Sequence, residues 1–275
     1  MPFSTSVPLV SVVMATFNES AEIINRAIES IINQTYTSFE LIIIDDSTNP
    51  ETKNVIDSFL TDSRVRIIRE KKRIGFAKGL NMGFSQAKGK FIARMDGDDI
   101  ALNNRLELQV NYLLKHPKIS VVGGSMYIID EKDQIISYRK YPTSGFLFKM
   151  LSTYRTPMAH PTVMLRQECV EKGFFYDESF FRAEDLELWL RLQKNGFNLA
   201  NMKAFLLKYR VCGDLSSKRT NDHWLYNHKA RVKNFSLRNP IFSLISIFVS
   251  FTYTVMPDFI IKAVYRKENN KSQEV

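Results

Sequence analysis

Short apolar runs alternate four times with amphipathic stretches over roughly the first hundred residues, and that order constrains the chain more than any other feature. Residues 9–14 (LVSVVM), 41–44 (LIII), 65–68 (VRII) and 91–95 (FIARM) are rich in β-branched and aliphatic side chains. They carry little of the polar alternation of a half-exposed strand, so they read as strands buried on both faces. Between the first two, Ile23, Ile24, Ala27, Ile28, Ile31 and Ile32 recur at steps of one, three and four, an amphipathic helical stripe. A weaker helical pattern covers about 51–60, and a third covers about 77–87, entered after Gly75 and ended by Lys88-Gly89. Strand–helix–strand order of this kind closes through crossover connections. The expected fold class is therefore α/β, with a Rossmann-like, mostly parallel sheet flanked by helices.

Acids fall where such a sheet binds ligands. Asp45-Asp46 follows the second strand and Asp96-Gly97-Asp98-Asp99 the fourth, at the carboxyl ends that line the crevice of open α/β sheets. Aspartate after a strand is also ordinary turn chemistry, but two clusters in one unit weaken that explanation. Carboxylates two residues apart at a strand end can project into one crevice. Such a pair calls for a compensating cation, and hard oxygen ligands select Mg²⁺ or Mn²⁺. An ion there would neutralise a departing diphosphate. A further pair, Glu184-Asp185, precedes an amphipathic run over 184–195 with Leu186, Trp189, Leu190 and Leu192 inward and Gly196 as a stop. Acids at a helix N-terminus are stabilised by its dipole. In an offsetting environment, one of them would serve as a general base.

From about residue 120 the strand-like pieces shorten (119–122, 126–129, 135–138), which predicts a mixed or antiparallel extension of the sheet. Residues 241–256 (IFSLISIFVSFTYTVM) carry no charge over sixteen positions, and Pro257-Asp258 interrupts before 259–264. That is short of the roughly twenty residues that span a bilayer. Arg231, Lys233 and Arg238 precede the stretch, and Lys262, Arg266, Lys267 and Lys271 follow it. This pattern suits a helix lying on an anionic membrane leaflet; a helix covering the sheet or a dimer contact are the alternatives. The formal net charge of +9 fits a membrane surface or an anionic small substrate, and nucleic acid is not expected, because no basic arm with interleaved aromatics exists. Hydrophobic residues make up 44% and charged residues 24%, ordinary globular composition. The two cysteines, Cys169 and Cys212, have no metal-ligand spacing, and no secretory n-region is legible, so a cytoplasmic location, peripheral at the inner face of the cell membrane, is expected. The expected organisation is one domain over 1–235, with a donor half at about 8–118 and an acceptor half at about 119–235, followed by a helical tail at 236–275.

Residues 10–19 (VSVVMATFNE), 34–48 (QTYTSFELIIIDDST), 75–99 (GFAKGLNMGFSQAKGKFIARMDGDD) and 183–192 (AEDLELWLRL), in that order, resemble the family 2 glycosyltransferases. The resemblance spans most of 8–212. It implies a GT-A fold, a nucleotide-sugar donor, Mn²⁺ or Mg²⁺ as cofactor, and inversion at the anomeric carbon. By the same resemblance, Ala15, Thr16 and Phe17 hold the nucleoside, with Phe17 stacking on the base. Asp46, with Asp45 beside it, takes the pyrimidine edge, so UDP-sugars are expected first and dTDP-sugars next. Asp96 serves ribose or metal, Asp98 is the direct metal ligand, Asp99 orients the loop or the donor sugar, and Lys78 meets a phosphate. Asp185 is the expected base, with Glu184 its rival and neighbour. The acceptor is expected to be a glycan or lipid-linked hydroxyl in cell-surface polysaccharide biosynthesis. Two positions depart from the family pattern: Cys212 stands where relatives often have His, and Leu80 where they frequently have Arg. Two other classes compete. A nucleotidyltransferase would carry a Gly/Arg-rich loop after the first strand, and 15–20 has no glycine. A non-catalytic nucleotide-sugar-binding protein would not need both acid groups.

Overall fold

The computed structural model describes residues 7–212, 221–257 and 260–261. The alternation predicted for the first half is present as β1 (Val10–Thr16), α1 (Ala21–Ile32), β2 (Phe39–Asp45), α2 (Pro50–Ser58), β3 (Val65–Ile68), α3 (Phe76–Gln86) and β4 (Phe91–Asp96). β1, β2, β3 and β4 pair in parallel. Each helix starts where the residues allow it. Ser20 accepts from Ile23 N at 3.4 Å to cap α1, and Asn49 accepts from Glu51 N at 2.9 Å with Pro50 in the first turn of α2. Gly75 enters α3 at φ 84°, a left-handed angle that suits glycine. Ile24, Ala27, Ile28 and Ile31 of α1 are buried on one face of the sheet, while Leu80 and Phe84 of α3 are buried on the other.

The approach of α3 to the sheet depends on Gly83. A Cβ there would lie 2.4 Å from Val13 Cγ1, inside any van der Waals contact. Gly83→Ala is therefore expected to destabilise the fold by about 1–3 kcal/mol through overpacking, read as a lower midpoint in urea with an unchanged slope.

The remaining elements are β5 (Ile100–Ala101), α4 (Arg105–Lys115), β6 (Ile119–Ile129), β7 (Ile135–Arg139), α5 (Gly145–Ser152), β8 (Met164–Arg166), α6 (Gln167–Glu171), α7 (Glu184–Lys194), β9 (Asn198–Arg210), α8 (Asn221–Lys233) and α9 (Pro240–Val255). Among the described residues one sheet runs β3-β2-β1-β4-β8-β6-β9-β5, with β7 on β6. β8 is antiparallel to both β4 and β6, and β5 is antiparallel to β9. The predicted mixed extension is present, but with longer strands. β6 is one strand of 11 residues and not two pieces. Gly123-Gly124 lies within it because a Cβ on either would meet Asn201 Oδ1 at 2.7 Å or Leu206 Cδ1 at 2.5 Å.

α9 is built inside out. Ser246 and Ser250 are buried against the body, whereas Ile241, Leu244, Ile245, Phe248, Phe251 and Val255 point to solvent, Phe248 with 69% of its surface exposed. α9 packs on α8, where Tyr253 stacks on Trp224 and His228 Nδ1 meets Ser250 Oγ at 3.0 Å. No described helix is long and apolar enough to cross a membrane. Lys262, Arg266, Lys267 and Lys271 lie outside the described residues.

Candidate active site

The loops after β1 and β2 are joined by one side chain. Asn18, at φ 60°, accepts from Thr48 N at 2.7 Å and Asn49 N at 2.9 Å, and its own N–H donates to Ser47 Oγ. This clamp fixes the two loops at one end of the crevice. Thr16 is buried, Ala15 is half-buried and Phe17 is exposed. The Arg73 guanidinium lies 3.9 Å from the centroid of the Phe17 ring, a cation–π contact on one face of that ring. Asp46 accepts from Ile74 N at 2.9 Å and Gly75 N at 2.8 Å, which ties the β2 loop to the start of α3. Lys78 is exposed in the first turn of that helix.

Asp45 is enclosed. Its side chain has no exposed surface, and its carboxylate accepts from Arg69 Nε at 2.6 Å and Ser47 N at 2.9 Å, partners that fix the loop.

At the end of β4, carboxylate oxygens of Asp96, Asp98 and Asp99 lie within 4.8 Å of one another. Burial, then the charges of Asp96 and Glu19, push the Asp98 carboxyl up to about 6. Burial, then the charges of Asp96 and Asp98, raise the Asp99 carboxyl well above its ordinary value. Asp99 Oδ1 accepts from Arg210 N at 2.9 Å, while its buried Oδ2 has no hydrogen-bond partner. Mutually repelling, desolvated carboxylates with an orphaned oxygen form the donor set a hard divalent cation fits. Asp96 differs, because the Arg94 guanidinium pairs with both its oxygens. Arg210 Nε also holds the Asp98 carbonyl at 2.9 Å, so the last residue of β9 braces the whole loop.

Glu19, Arg94 and Arg210 carry much of this arrangement, and the sequence reading assigns none of them a role. Arg94 had a legible signal: an arginine inside an otherwise apolar buried strand needs a partner, and Asp96 shares its face at the two-residue period. Glu19 accepts from Phe17 N at 2.8 Å and from the Thr16 hydroxyl, and burial raises its pKa.

The second acid pair stands at the start of α7. Ala183 precedes it at φ 57°, a left-handed angle costing a non-glycine residue about 1 kcal/mol or more. Burial, then the charge of Asp185, push the Glu184 carboxyl up to about 7, and the charges of Arg94 and Asp96 also reach it. Asp96 at the end of β4 and Glu184 at the start of α7 thus lie within reach of one another's charge. Asp185 Oδ1 accepts from Leu186 N at 2.7 Å. His160 Nε2 meets the Tyr176 hydroxyl at 2.7 Å, and burial followed by Arg94 keeps its imidazole neutral. Trp189 is fully buried, a core residue as expected.

Glu184 and Asp98 bind protons more tightly folded than unfolded, so the folded state gains from acid. Their contribution is greatest below the unfolded values near 4, and it is lost as pH rises through about 6 to 7. Metal-free protein is expected to melt roughly 5 °C higher at pH 5.5 than at pH 7.5, measured by calorimetry in EDTA.

A parallel α/β half with acids at the carboxyl ends of β2 and β4, extended by a mixed set of strands with a second acid pair on the helix α7, is a GT-A-type fold. The family model for glycosyl transferase family 2 matches residues 11–174, and the chain belongs to that family. It is 30% identical over 280 residues to an uncharacterized glycosyltransferase of Methanocaldococcus jannaschii, covering 97% of this chain and 96% of that one. It is 31% identical over 204 residues to the Escherichia coli UDP-Glc:alpha-D-GlcNAc-diphosphoundecaprenol beta-1,3-glucosyltransferase WfgD, covering 74% of this chain and 77% of the relative. In fold it is similar to the mannosyltransferase PcManGT of Pyrobaculum calidifontis, solved with GDP-Man and Mn²⁺. The TM-score there is 0.62 at 14% identity, over 96% of this chain and 81% of that one.

Proposed function

We propose that this glycosyltransferase moves a sugar, with inversion, from a UDP-sugar by preference and a dTDP-sugar next. The acceptor is a hydroxyl of a glycan or lipid-linked molecule in cell-surface polysaccharide biosynthesis. The observation that carries the reading is the gathering of Asp96, Asp98 and Asp99 at one strand end, with the charge of Asp96 reaching Glu184 beside Asp185. The GlcNAc-diphosphoundecaprenol acceptor in the name of the E. coli relative supports the acceptor class. Residues of about 8–118 bind the donor in this reading, and residues of about 119–235 bind the acceptor.

Phe17 receives the base on its ring and Asp46 accepts from the pyrimidine N3–H, while Ala15 and Thr16 shape the nucleoside pocket and Lys78 meets a phosphate. Asp98, with Asp96 and the orphaned oxygen of Asp99 beside it, would hold Mn²⁺ or Mg²⁺, which when bound supplies Lewis-acid neutralisation of the leaving diphosphate. Arg94 pairs with both oxygens of Asp96 and aligns it. Asp185 takes the proton from the acceptor hydroxyl as that oxygen attacks. Glu184, near pKa 7, holds the proton that two adjacent carboxylates cannot both release. A donor panel tested by thermal shift with Mn²⁺ checks this. Saturation with the right donor is expected to stabilise the protein by roughly 3 kcal/mol at a hundredfold excess over Kd. No shift with any pyrimidine-nucleotide sugar would contradict the donor class.

The inside-out face of α9 supports peripheral contact with the cytoplasmic face of the cell membrane by the tail at 236–275. Six large apolar side chains on one uncharged helix face otherwise meet water.

A further inference from the structure

Two exposed aromatic rings flank Asp46. Asp46 N donates to Thr16 O at 3.1 Å, beside Phe17, and its carboxylate accepts from Gly75 N at 2.8 Å, beside Phe76. Phe17 is 41% exposed and Phe76 43%. Phe17 receives the base in the reading above, while Phe76 has no part in it. The core does not claim Phe76 either, because α3 buries Leu80 and Phe84 and leaves its first residue at the surface.

The neighbours of Phe76 reach toward both groups of acids. The Arg94 guanidinium lies 5.3 Å from the centroid of the Phe76 ring and pairs with Asp96 at the end of β4. The His160 ring meets Phe76 edge-on with centroids 6.0 Å apart, and meets Trp189 of α7 edge-on at 6.1 Å. Phe76 and His160 therefore bridge from β4 to the helix that begins with Glu184 and Asp185. His160 Nε2 meets the Tyr176 hydroxyl at 2.7 Å. Asn81 of α3 fixes Tyr176 from both sides, donating to its carbonyl at 2.9 Å and accepting from its amide at 2.8 Å.

The reacting carbon has to lie between a diphosphate held at the β4 acids and a base on α7. Of the side chains that link those acids, Arg94 is engaged by Asp96 and Tyr176 is buried. Phe76 is exposed and His160 half-buried, so both have surface to offer a ligand. Their chemistry suits a pyranose. An aromatic ring packs against the C–H face of a sugar. A neutral imidazole with Nε2 on Tyr176 presents Nδ1 to a hydroxyl, as donor or acceptor according to the tautomer.

We infer that Phe76 and His160 form the subsite for the transferred sugar of the donor, with Phe76 as an apolar platform against its ring and His160 as a hydrogen-bond partner of one hydroxyl. The subsite rests on the donor reading above. It divides the donor at Asp46, with the base on the Phe17 side and the sugar on the Phe76 side.

Isothermal titration of the full chain in Mn²⁺ tests it, using UDP, dTDP and a panel of their hexose and N-acetylhexosamine derivatives. Each diphosphate is compared with its tightest-binding sugar derivative. Phe76→Ala is expected to weaken the sugar nucleotide about tenfold and leave the diphosphate within about twofold. Phe76→Tyr, which keeps the ring, is expected to bind both within about twofold of wild type. His160→Ala is expected to weaken the sugar nucleotide about fivefold, again with the diphosphate spared. Phe76 is exposed, so its replacement should leave the melting temperature unchanged and decides the matter even if His160→Ala folds poorly. If Phe76→Ala weakens diphosphate and sugar nucleotide equally, the residue only supports the loop at Asp46 and the subsite is wrong. If Phe76→Ala binds the sugar nucleotide as wild type does, the subsite is likewise overturned while the donor reading stands. If the wild-type chain binds neither diphosphate nor any derivative, the donor reading falls and the subsite with it.

Discussion

Asp98→Asn is expected to lower nucleotide-sugar turnover on the order of a thousandfold, since loss of a direct metal ligand removes several kcal/mol of leaving-group stabilisation. The same change should raise the stability of metal-free protein at pH 7.5. Asp98 is desolvated and faces Asp96 and Glu19, which hold its carboxyl at about 6, so a neutral amide relieves that repulsion. Opposite movements of activity and metal-free stability are the signature of a functional acid held against its own electrostatics. Steady-state donor hydrolysis and thermal melts with and without Mn²⁺ read both. Asp98→Asn should also remove most of the stabilisation that Mn²⁺ gives the wild-type protein. A variant with undiminished Mn²⁺-dependent turnover would take Asp98 out of the metal site.

Asp185→Asn is expected to reduce kcat for transfer by roughly 10²–10⁴-fold, the usual contribution of a positioned general base. The donor KM should change little, because the amide keeps the shape of the side chain and the α7 N-terminus stays intact. Glu184→Gln should cost about tenfold and remove the ionisation near pH 7 from the pH–rate profile. Glu184 is the member of the pair whose carboxyl burial and the Asp185 charge push up to about 7, and an amide does not titrate. A larger loss from Glu184→Gln than from Asp185→Asn would exchange the two roles.

Much of the first half was legible because its signals are local. β1 to β4 are apolar runs, their helices are periodic, and the acids close the strands, so element positions agree within a residue or two. The second half was less legible because its signals depend on tertiary partners. α4 has apolar positions at Leu106, Val110 and Leu113, but Arg105 and Gln109 also face inward. Arg105 is satisfied there by Gln109 and the Arg94 carbonyl, and a buried arginine disguises the stripe. Gly123-Gly124 reads as a turn until Asn201 and Leu206 occupy the space above it. β9 mixes Lys203 and Lys208 with Leu206 and Leu207, and its pairing with β6 shifts register three times.

At the site, sequence pattern located the acids and could not distribute their partners. Asp45 and Asp46 are adjacent and chemically identical, yet Arg69 encloses one while the amides of Ile74 and Gly75 hold the other. Asp96 and Asp99 likewise separate only in three dimensions, through Arg94 and Arg210. The uncharged stretch at 241–256 identified an unusual helix, but which of its faces turns outward required the packing against α8.

The most direct measurement is release of nucleoside diphosphate from a panel of UDP-, dTDP-, GDP- and ADP-sugars, with and without Mn²⁺ or Mg²⁺, comparing wild type with Asp98→Asn. Metal-dependent turnover of a pyrimidine-nucleotide sugar, lost in the variant, is the predicted result. No metal-dependent turnover of any donor by the wild-type chain, or turnover that Asp98→Asn leaves intact, would contradict it.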